Sequence, residues 1–324
     1  MWVRVRHFTL SLVLSLEGRG DRNAQRWKSG TGATMIDFHV HLGSMYRERY
    51  PAYSPLSAHQ LIDRMNREGI AISVLLPLES PEGSWGYFLT EDAVAARDMY
   101  PERLVAFCCI DPRYPLAAQF IDYFVTRHGC KGFGEHVNGL AFDDERNKVI
   151  YAKCDEHGLP LVFEISPDPS TPLRTGLCYD EVGLPRLERC LREFRNVKFV
   201  GHGPGFWAAI SGDDDGKGGY PKRPIALGGA VDRLLGEYDN LYADLSAGSG
   251  HNAMTRDAEF AAGFVARHWR KLLFGTDYLG PEQPMPQVAW LRGLDIATEV
   301  REAIAAGNAR RLLELPEKKK SYWD

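Results

Sequence analysis

The stretch MIDFHVHLG, residues 35–43, decides how this chain is read. It is a short apolar run that carries His39 and His41 two places apart and stops at a glycine. Side chains at i and i+2 of a strand share a face, so both imidazoles leave one strand on the same side, close to its end. Seven runs of the same kind follow: IAISVLLPLE (70–79), LVAFCCIDP (104–112), CKGFGEHV (130–137), LPLVFEIS (159–166), VKFVGHGPG (197–205), NLYADLSAG (240–248) and LLFGTDYLG (272–280). They are dense in Val, Ile, Leu and Phe with little alternation, as strands covered on both faces are.

Helical stretches fall between them, at 57–68, 90–99, 116–128, 144–157, 184–195, 224–238, 256–269 and 298–314. The first opens on Ser57-Ala-His-Gln60, a capping-box pattern, and closes at Gly69. A βα unit repeated in this way predicts a single parallel (β/α)8 TIM barrel over residues 35–316. Residues 1–34 hold arginines and a short apolar run, FTLSLVLSL, that is too short for a bilayer span of about 20 residues and lacks a small-residue cleavage site. They read as a disordered extension or a start placed too early, and residues 317–324 as a charged tail. Residues 204–224, PGFWAAISGDDDGKGGYPKRP, read as a mobile loop after the sixth strand, placed to serve as a lid.

Lys and Arg number 39 against 43 Asp and Glu, a net charge of −4, so no basic surplus draws the chain to nucleic acid or to an anionic membrane. The six cysteines form no CxxC pair, which points to a reducing compartment and a cytoplasmic location. The expected partner is a small molecule. Barrels of this kind often pair, and a homodimer is left open.

A barrel of this type carries its reactive groups at the C-terminal ends of the strands. There the sequence places His39 and His41, Glu135 and His136, Glu164, His202, Asp244 and Ser246, and Asp277. So many ionisable groups would each cost several kcal/mol if buried unpaired, so their gathering at one end signals a site. His39 and His41 suit joint chelation of a divalent cation. Asp277, in FGTD, can bind the same ion and carry protons, and zinc lowers the pKa of its water to about 7. His202, between glycines in GHGPG, reads as a ligand or as a charge stabiliser for a substrate oxygen. Glu164 reads as a metal ligand or as a carboxylate that orients a ligand histidine. Glu135 and His136 are adjacent, so one of them points inward; Glu135 does so if Phe133 does. His136, Trp207, His251 and Tyr278 are candidate substrate contacts near the mouth, with packing as the alternative for each. Arg113 is a weak candidate for holding a substrate carboxylate.

With FHVHLG, GFGEHV, FVGHGPGFW, YADLSAGSG and LLFGTDYL in this order, the chain resembles the amidohydrolase superfamily. More narrowly it resembles the amidohydrolase-related branch that includes aminocarboxymuconate-semialdehyde decarboxylase and the resorcylate-type decarboxylases, from about Met35 to Leu315. The resemblance implies that His39, His41 and Asp277 hold a metal and that His202 contacts substrate or water. It also implies a histidine after strand five, where this chain has Glu164, and a bridging lysine on strand four, where it offers Glu135. A two-metal site with a glutamate bridge is therefore open. Zinc is the expected ion, with manganese or iron as alternatives.

The leading expectation is a metal-dependent hydrolase of a small amide, ester or lactone carbonyl. The alternative is a metal-dependent, non-oxidative decarboxylase or lyase acting on a small carboxylate. A third reading is a catalytically silent metal-binding protein.

Overall fold

The computed structural model describes residues 35–43, 55–80, 87–166 and 176–316. The extension at 1–34 and the tail at 317–324 lie outside the described residues. Eight short parallel strands form the ring: β1 (Met35–Val40), β2 (Ile70–Leu75), β3 (Leu104–Ala106), β4 (Phe133–His136), β5 (Pro160–Glu164), β6 (Lys198–His202), β7 (Leu241–Asp244) and β8 (Leu272–Leu273). β1 pairs with β2, β2 with β3, and β4 through β8 pair in sequence. Two seams close the circle. Cys108 N–H donates to Gly132 O at 3.0 Å between β3 and β4, and Phe38 N–H donates to Phe274 O at 2.9 Å between β1 and β8. The structure is thus the (β/α)8 barrel that the repeated unit predicts.

The ring is filled by Ile36, Phe38, Val74, Phe107, Val162, Val200 and Leu273, all buried, with Ala309 and Leu313 joining them. A second apolar layer, which includes Val40, Leu61, Ile121, Phe133, Phe163, Leu187 and Phe264, lies between strands and helices. Strands buried on both faces explain why the sequence shows continuous apolar runs.

Helices α1 (Ala58–Glu68), α2 (Thr90–Met99), α3 (Ala117–His128), α4 (Glu145–His157) and α5 (Pro185–Glu193) fall where the sequence places them, within two residues at either end. The capping box is formed: Ser57 Oγ accepts from Gln60 N–H, and Gln60 Oε1 accepts from Ser57 N–H at 2.9 Å. Three helices were not anticipated: α6 (Gly203–Ala208), α8 (Ala247–Thr255) and α10 (Pro286–Gly293). All three occupy glycine- or proline-containing stretches that carry loop signals. α7 (Ala230–Glu237) and α9 (Ala258–His268) lie inside the expected spans, and the last expected helix runs from Thr298 to Leu312 with a π-helical turn at Ala303–Gly307.

The expected mobile loop at 204–224 is corrected. Its first residues form α6, with Phe206 and Trp207 buried in the core. Its acidic part folds back on itself. Asp213 pairs with Arg223 at 2.6 Å, Gly212 N–H donates to Ala226 O at 2.9 Å, and Asn252 Nδ2 donates to Pro221 O at 3.2 Å. Charge pairing and backbone bonds organise a segment too polar to order itself by burial.

Candidate metal centre

The end of β1 builds the first half of the site. Ile36 and Phe38 face the barrel interior, whereas Val40 and Leu42 belong to the outer layer. The alternation changes where the β1–β2 register shifts, between Asp37 and Val40. Beyond that irregularity the odd-numbered residues face inward, so His39 and His41 enter the mouth together. Their rings are buried, and their Nε2 atoms lie 3.0 Å apart.

Each ring is held by its other nitrogen. His41 Nδ1 is 2.7 Å from Leu76 O, which can only accept. His39 Nδ1 is 2.6 Å from Asp244 Oδ2, and His202 Nδ1 is 3.1 Å from the same oxygen. All three imidazoles therefore carry their proton on Nδ1 when neutral and direct Nε2 lone pairs into one space.

Carboxylates complete that space. Glu135 Oε2 lies 3.4 Å from His41 Nε2 and 3.6 Å from His39 Nε2, while Glu135 Oε1 lies 3.7 Å from His202 Nε2. Asp277 Oδ1 is 3.4 Å from His41 Nε2 and 3.7 Å from His39 Nε2. Asp277 sits beyond β8 at φ 56, and its backbone is pinned there by Asp277 N–H donating to His39 O at 2.9 Å and by Gln283 Nε2 donating to Asp277 O at 2.6 Å. A non-glycine residue in that region is uncommon and is kept only where surrounding bonds enforce it.

Two groups of donor atoms result, each lying within 4.8 Å of one another: His39, His41 and Asp277, and Glu135, Glu164 and His202. Glu135 stands between them with one oxygen toward each. Its Oε1 is buried and has no hydrogen-bond partner among the described residues. Such an orphaned acceptor is costly unless a cation or donor meets it. A third group, His39, His202 and Asp244, is already closed by the direct hydrogen bonds just described.

The electrostatics follow from this crowding. Burial opposes the charge on Glu135, but the imidazoles of His39, His202 and His41 outweigh it and hold the carboxyl down at about 2. Burial likewise opposes charge on His39, yet Glu135 and Asp244 raise it well above the usual histidine range. Glu164 is pushed up to about 8, first by burial and then by repulsion from Glu135. The carboxylates outnumber the cations available within the cluster, and a divalent ion would relieve that.

The other expected residues are placed as follows. Phe133 packs in the outer layer, yet Glu135 still points inward, because the β4–β5 register is irregular between Phe133 and His136. His136 turns away: its Nε2 bonds Asn147 and Asn138 at 3.1 Å each, and burial drives its pKa down to about 4. Trp207 is buried with its Nε1 donating to Asp244 O at 2.9 Å, so it braces the site from behind. Tyr278 is buried, donates to Pro281 O and lies beneath Arg64. His251 is half-buried on α8, with no described contact to the cluster. Arg113 is engaged by Asp111 at 3.2 Å and by Asn138 O at 2.6 Å.

Three residues carry more than the sequence assigned. Asp244 and Ser246 were seen only as polar ends of β7; Ser246 Oγ lies 2.7 Å from Asp244 Oδ2 and 3.0 Å from His202 Nδ1. The signal was the pattern D-x-S at a strand end. Gly275, in FGTD, makes room for them, since a Cβ there would lie 2.5 Å from Asp244 Oδ1 and 2.9 Å from Ser246 Cβ. Tyr220, in the folded-back segment, lies against Gly248; it is more than half exposed, and its hydroxyl is raised first by partial desolvation and then by the charges of Glu164 and Asp277. An aromatic in a glycine-rich stretch, GGYP, was the available cue.

The family profile described as Amidohydrolase matches residues 36–315. No curated protein sequence matches. Among solved structures, an uncharacterised TIM-barrel protein from Bordetella bronchiseptica aligns with TM-score 0.60 and 19% identity, over 86% of this chain and 98% of that one. The 5-carboxyvanillate decarboxylase of Sphingomonas paucimobilis aligns with TM-score 0.56 and 17% identity, over 87% and 99%. A dihydroxybenzoic acid decarboxylase from Polaromonas, solved with manganese and the inhibitor 2-nitroresorcinol, aligns with TM-score 0.56 and 16% identity, over 89% and 99%. These structural likenesses establish the shared barrel.

Proposed function

The chain belongs to the amidohydrolase family, and on that premise we propose that it is a metal-dependent enzyme that removes carbon dioxide from a small carboxylate without an oxidant. The observation that carries metal dependence is the orphaned Glu135 Oε1 beside three imidazoles whose Nδ1 atoms are all engaged. His39, His41 and Asp277 would hold the ion, with Glu135 beside them. Nitrogen and carboxylate donors together suit zinc, manganese or iron. The high share of oxygen, and the manganese in the solved Polaromonas decarboxylase, favour manganese at least as much as zinc.

Bound there, a divalent cation supplies Lewis-acid polarisation of a carboxylate or carbonyl oxygen. The chain supplies the rest. Asp277, whose side chain is 21% exposed, gives a proton to the carbon that carbon dioxide leaves. The electron pair of the broken carbon–carbon bond forms the new C–H bond, and Asp277 regains its proton from water. His202 would direct Nε2 at the substrate, and Tyr220, exposed on the folded-back segment within reach of the charges of Glu164 and Asp277, would contact it. Support for decarboxylation over hydrolysis comes from the two solved decarboxylases that share this fold.

Hydrolysis of an amide, ester or lactone is the second reading, favoured by the Glu135, Glu164 and His202 group. Glu135, Glu164 and His202 would hold a second cation there, with Glu135 shared between the two groups of donors. Asp277 would then accept the proton of a water whose oxygen adds to the carbonyl carbon, and return it to the leaving group.

The test is product analysis of manganese- or zinc-loaded protein with small aromatic carboxylates labelled at the carboxyl carbon, and in parallel with esters, lactones and amides. Labelled carbon dioxide supports the first reading. Cleavage without it supports the second. A loaded protein that does neither across both panels removes both. We place the enzyme in the cytoplasm, with a small-molecule substrate; the six cysteines, all free and buried, support a reducing compartment.

A further inference from the structure

Asp244 ends β7 fully buried, and its two oxygens accept from four donors. Oδ1 takes Ser246 N–H at 3.0 Å. Oδ2 takes His39 Nδ1 at 2.6 Å, Ser246 Oγ at 2.7 Å and His202 Nδ1 at 3.1 Å. The two rings it holds come from opposite ends of the cluster: His39 belongs with His41 and Asp277, and His202 with Glu135 and Glu164. Their centroids are 4.1 Å apart. The carboxylate is itself immobilised by Trp207 Nε1 donating to its backbone carbonyl and by Leu245 N–H donating to Leu273 O at 3.0 Å.

We propose that Asp244 is a positioning residue that fixes one tautomer on two histidines at once, keeping the Nε2 of His39 and the Nε2 of His202 free on the two sides of Glu135. The tautomer rests on the hydrogen bonds alone; its consequence for ion binding rests on the metal-site reading above. An ionised carboxylate can only accept, so both Nδ1 atoms must donate. Both Nδ1 atoms bond the same oxygen, Oδ2, so a leucine in its place removes the acceptor of both rings at once. The rings are then no longer held to Nδ1–H, and a ring that carries its proton on Nε2 cannot take an ion.

The test is nitrogen-15 spectroscopy of histidine-labelled full-length protein, chelator-stripped at alkaline pH and zinc-loaded, with calorimetric zinc titration beside it. In the wild type both rings show Nδ1–H. In Asp244→Leu at least one of them shows Nε2–H in the stripped protein, and zinc affinity falls by about 10- to 100-fold. Ser246→Ala is the gentler variant: it changes the His202 signals and leaves those of His39 in place. An unchanged pair of tautomers in Asp244→Leu overturns the proposal, as does zinc held through Nδ1 in the wild type. Wild-type protein with the expected tautomers but no zinc affinity leaves this proposal standing and removes the metal reading instead.

Discussion

His39 Nε2 and His41 Nε2 lie 3.0 Å apart, with both Nδ1 atoms bonded to acceptors behind them. With both Nδ1 atoms donating, the two Nε2 atoms attract only when something positive lies between them, either the proton that His39 holds tightly or a shared cation. A divalent ion would take the place of that proton. Manganese or zinc at 100 times its Kd should stabilise the fold by about 2.7 kcal/mol and raise the melting temperature by roughly 4–5 °C, and a chelator should reverse the gain. Differential scanning calorimetry checks this. A melting temperature that ignores both additions contradicts it.

Asp277→Asn keeps an oxygen beside the histidines and loses the group that moves the proton. Turnover should drop by about 100- to 10,000-fold while the melting temperature of the stripped protein stays within a few degrees. Steady-state kinetics with the carboxylate or ester panel reads the loss, and normal turnover would remove Asp277 from the mechanism.

Gly203 has φ +84, and a Cβ there would lie 2.1 Å from Glu164 Cγ. Gly203→Ala should therefore strain the backbone by about 1–2 kcal/mol and push Glu164 away from Glu135 and His202. The expected result is weaker binding of a second ion with the first retained, read by two-site titration. Equal loss of both ions would show that the two positions are not separable in this way.

Glu79 is raised to about 7 by burial, then by Glu91, against hydrogen bonds from Thr90, and its Oε2 has no partner among the described residues. A carboxyl whose folded pKa exceeds its unfolded value near 4.5 binds its proton more tightly in the native state. Stability from this group is present below pH 4.5 and is lost as pH rises to about 7. Glu79→Gln should remove that fall and melt a few degrees higher than wild type at pH 8, with little difference at pH 4.5. Thermal melts across the pH range check the sign.

Tyr220 is more than half exposed on the folded-back segment and its hydroxyl feels the charges of Glu164 and Asp277, so its phenol should contact substrate more than it supports the fold. Tyr220→Phe should raise KM several-fold with the melting temperature unchanged. A variant that loses stability and keeps KM would assign the residue to packing.

The barrel was legible because eight runs of Val, Ile, Leu and Phe recur between amphipathic segments, and burial on both faces leaves that mark. His39, His41, Glu135, Glu164, His202 and Asp277 were legible for a related reason: charge at the end of an apolar strand has no structural use. The substrate contacts were harder to read. His136, Trp207 and Tyr278 sit as close to strand ends in sequence as the site residues do, and only the side-chain direction separates them. For His136 that direction depends on the register irregularity in β4, as for His39 and His41 it depends on the one in β1, and no residue type marks either. α6 and the folded-back segment after it were missed because glycine and aspartate signal a loop, while the Asp213–Arg223 pair that closes it spans ten residues.

The most direct measurement is metal content and affinity of the full-length protein, by elemental analysis as purified and by titration with manganese and zinc after stripping. The account predicts at least one ion per chain, a second of weaker affinity, and loss of the tighter one in His39→Ala and His41→Ala. A folded protein that carries no divalent ion, and takes up neither manganese nor zinc, contradicts it.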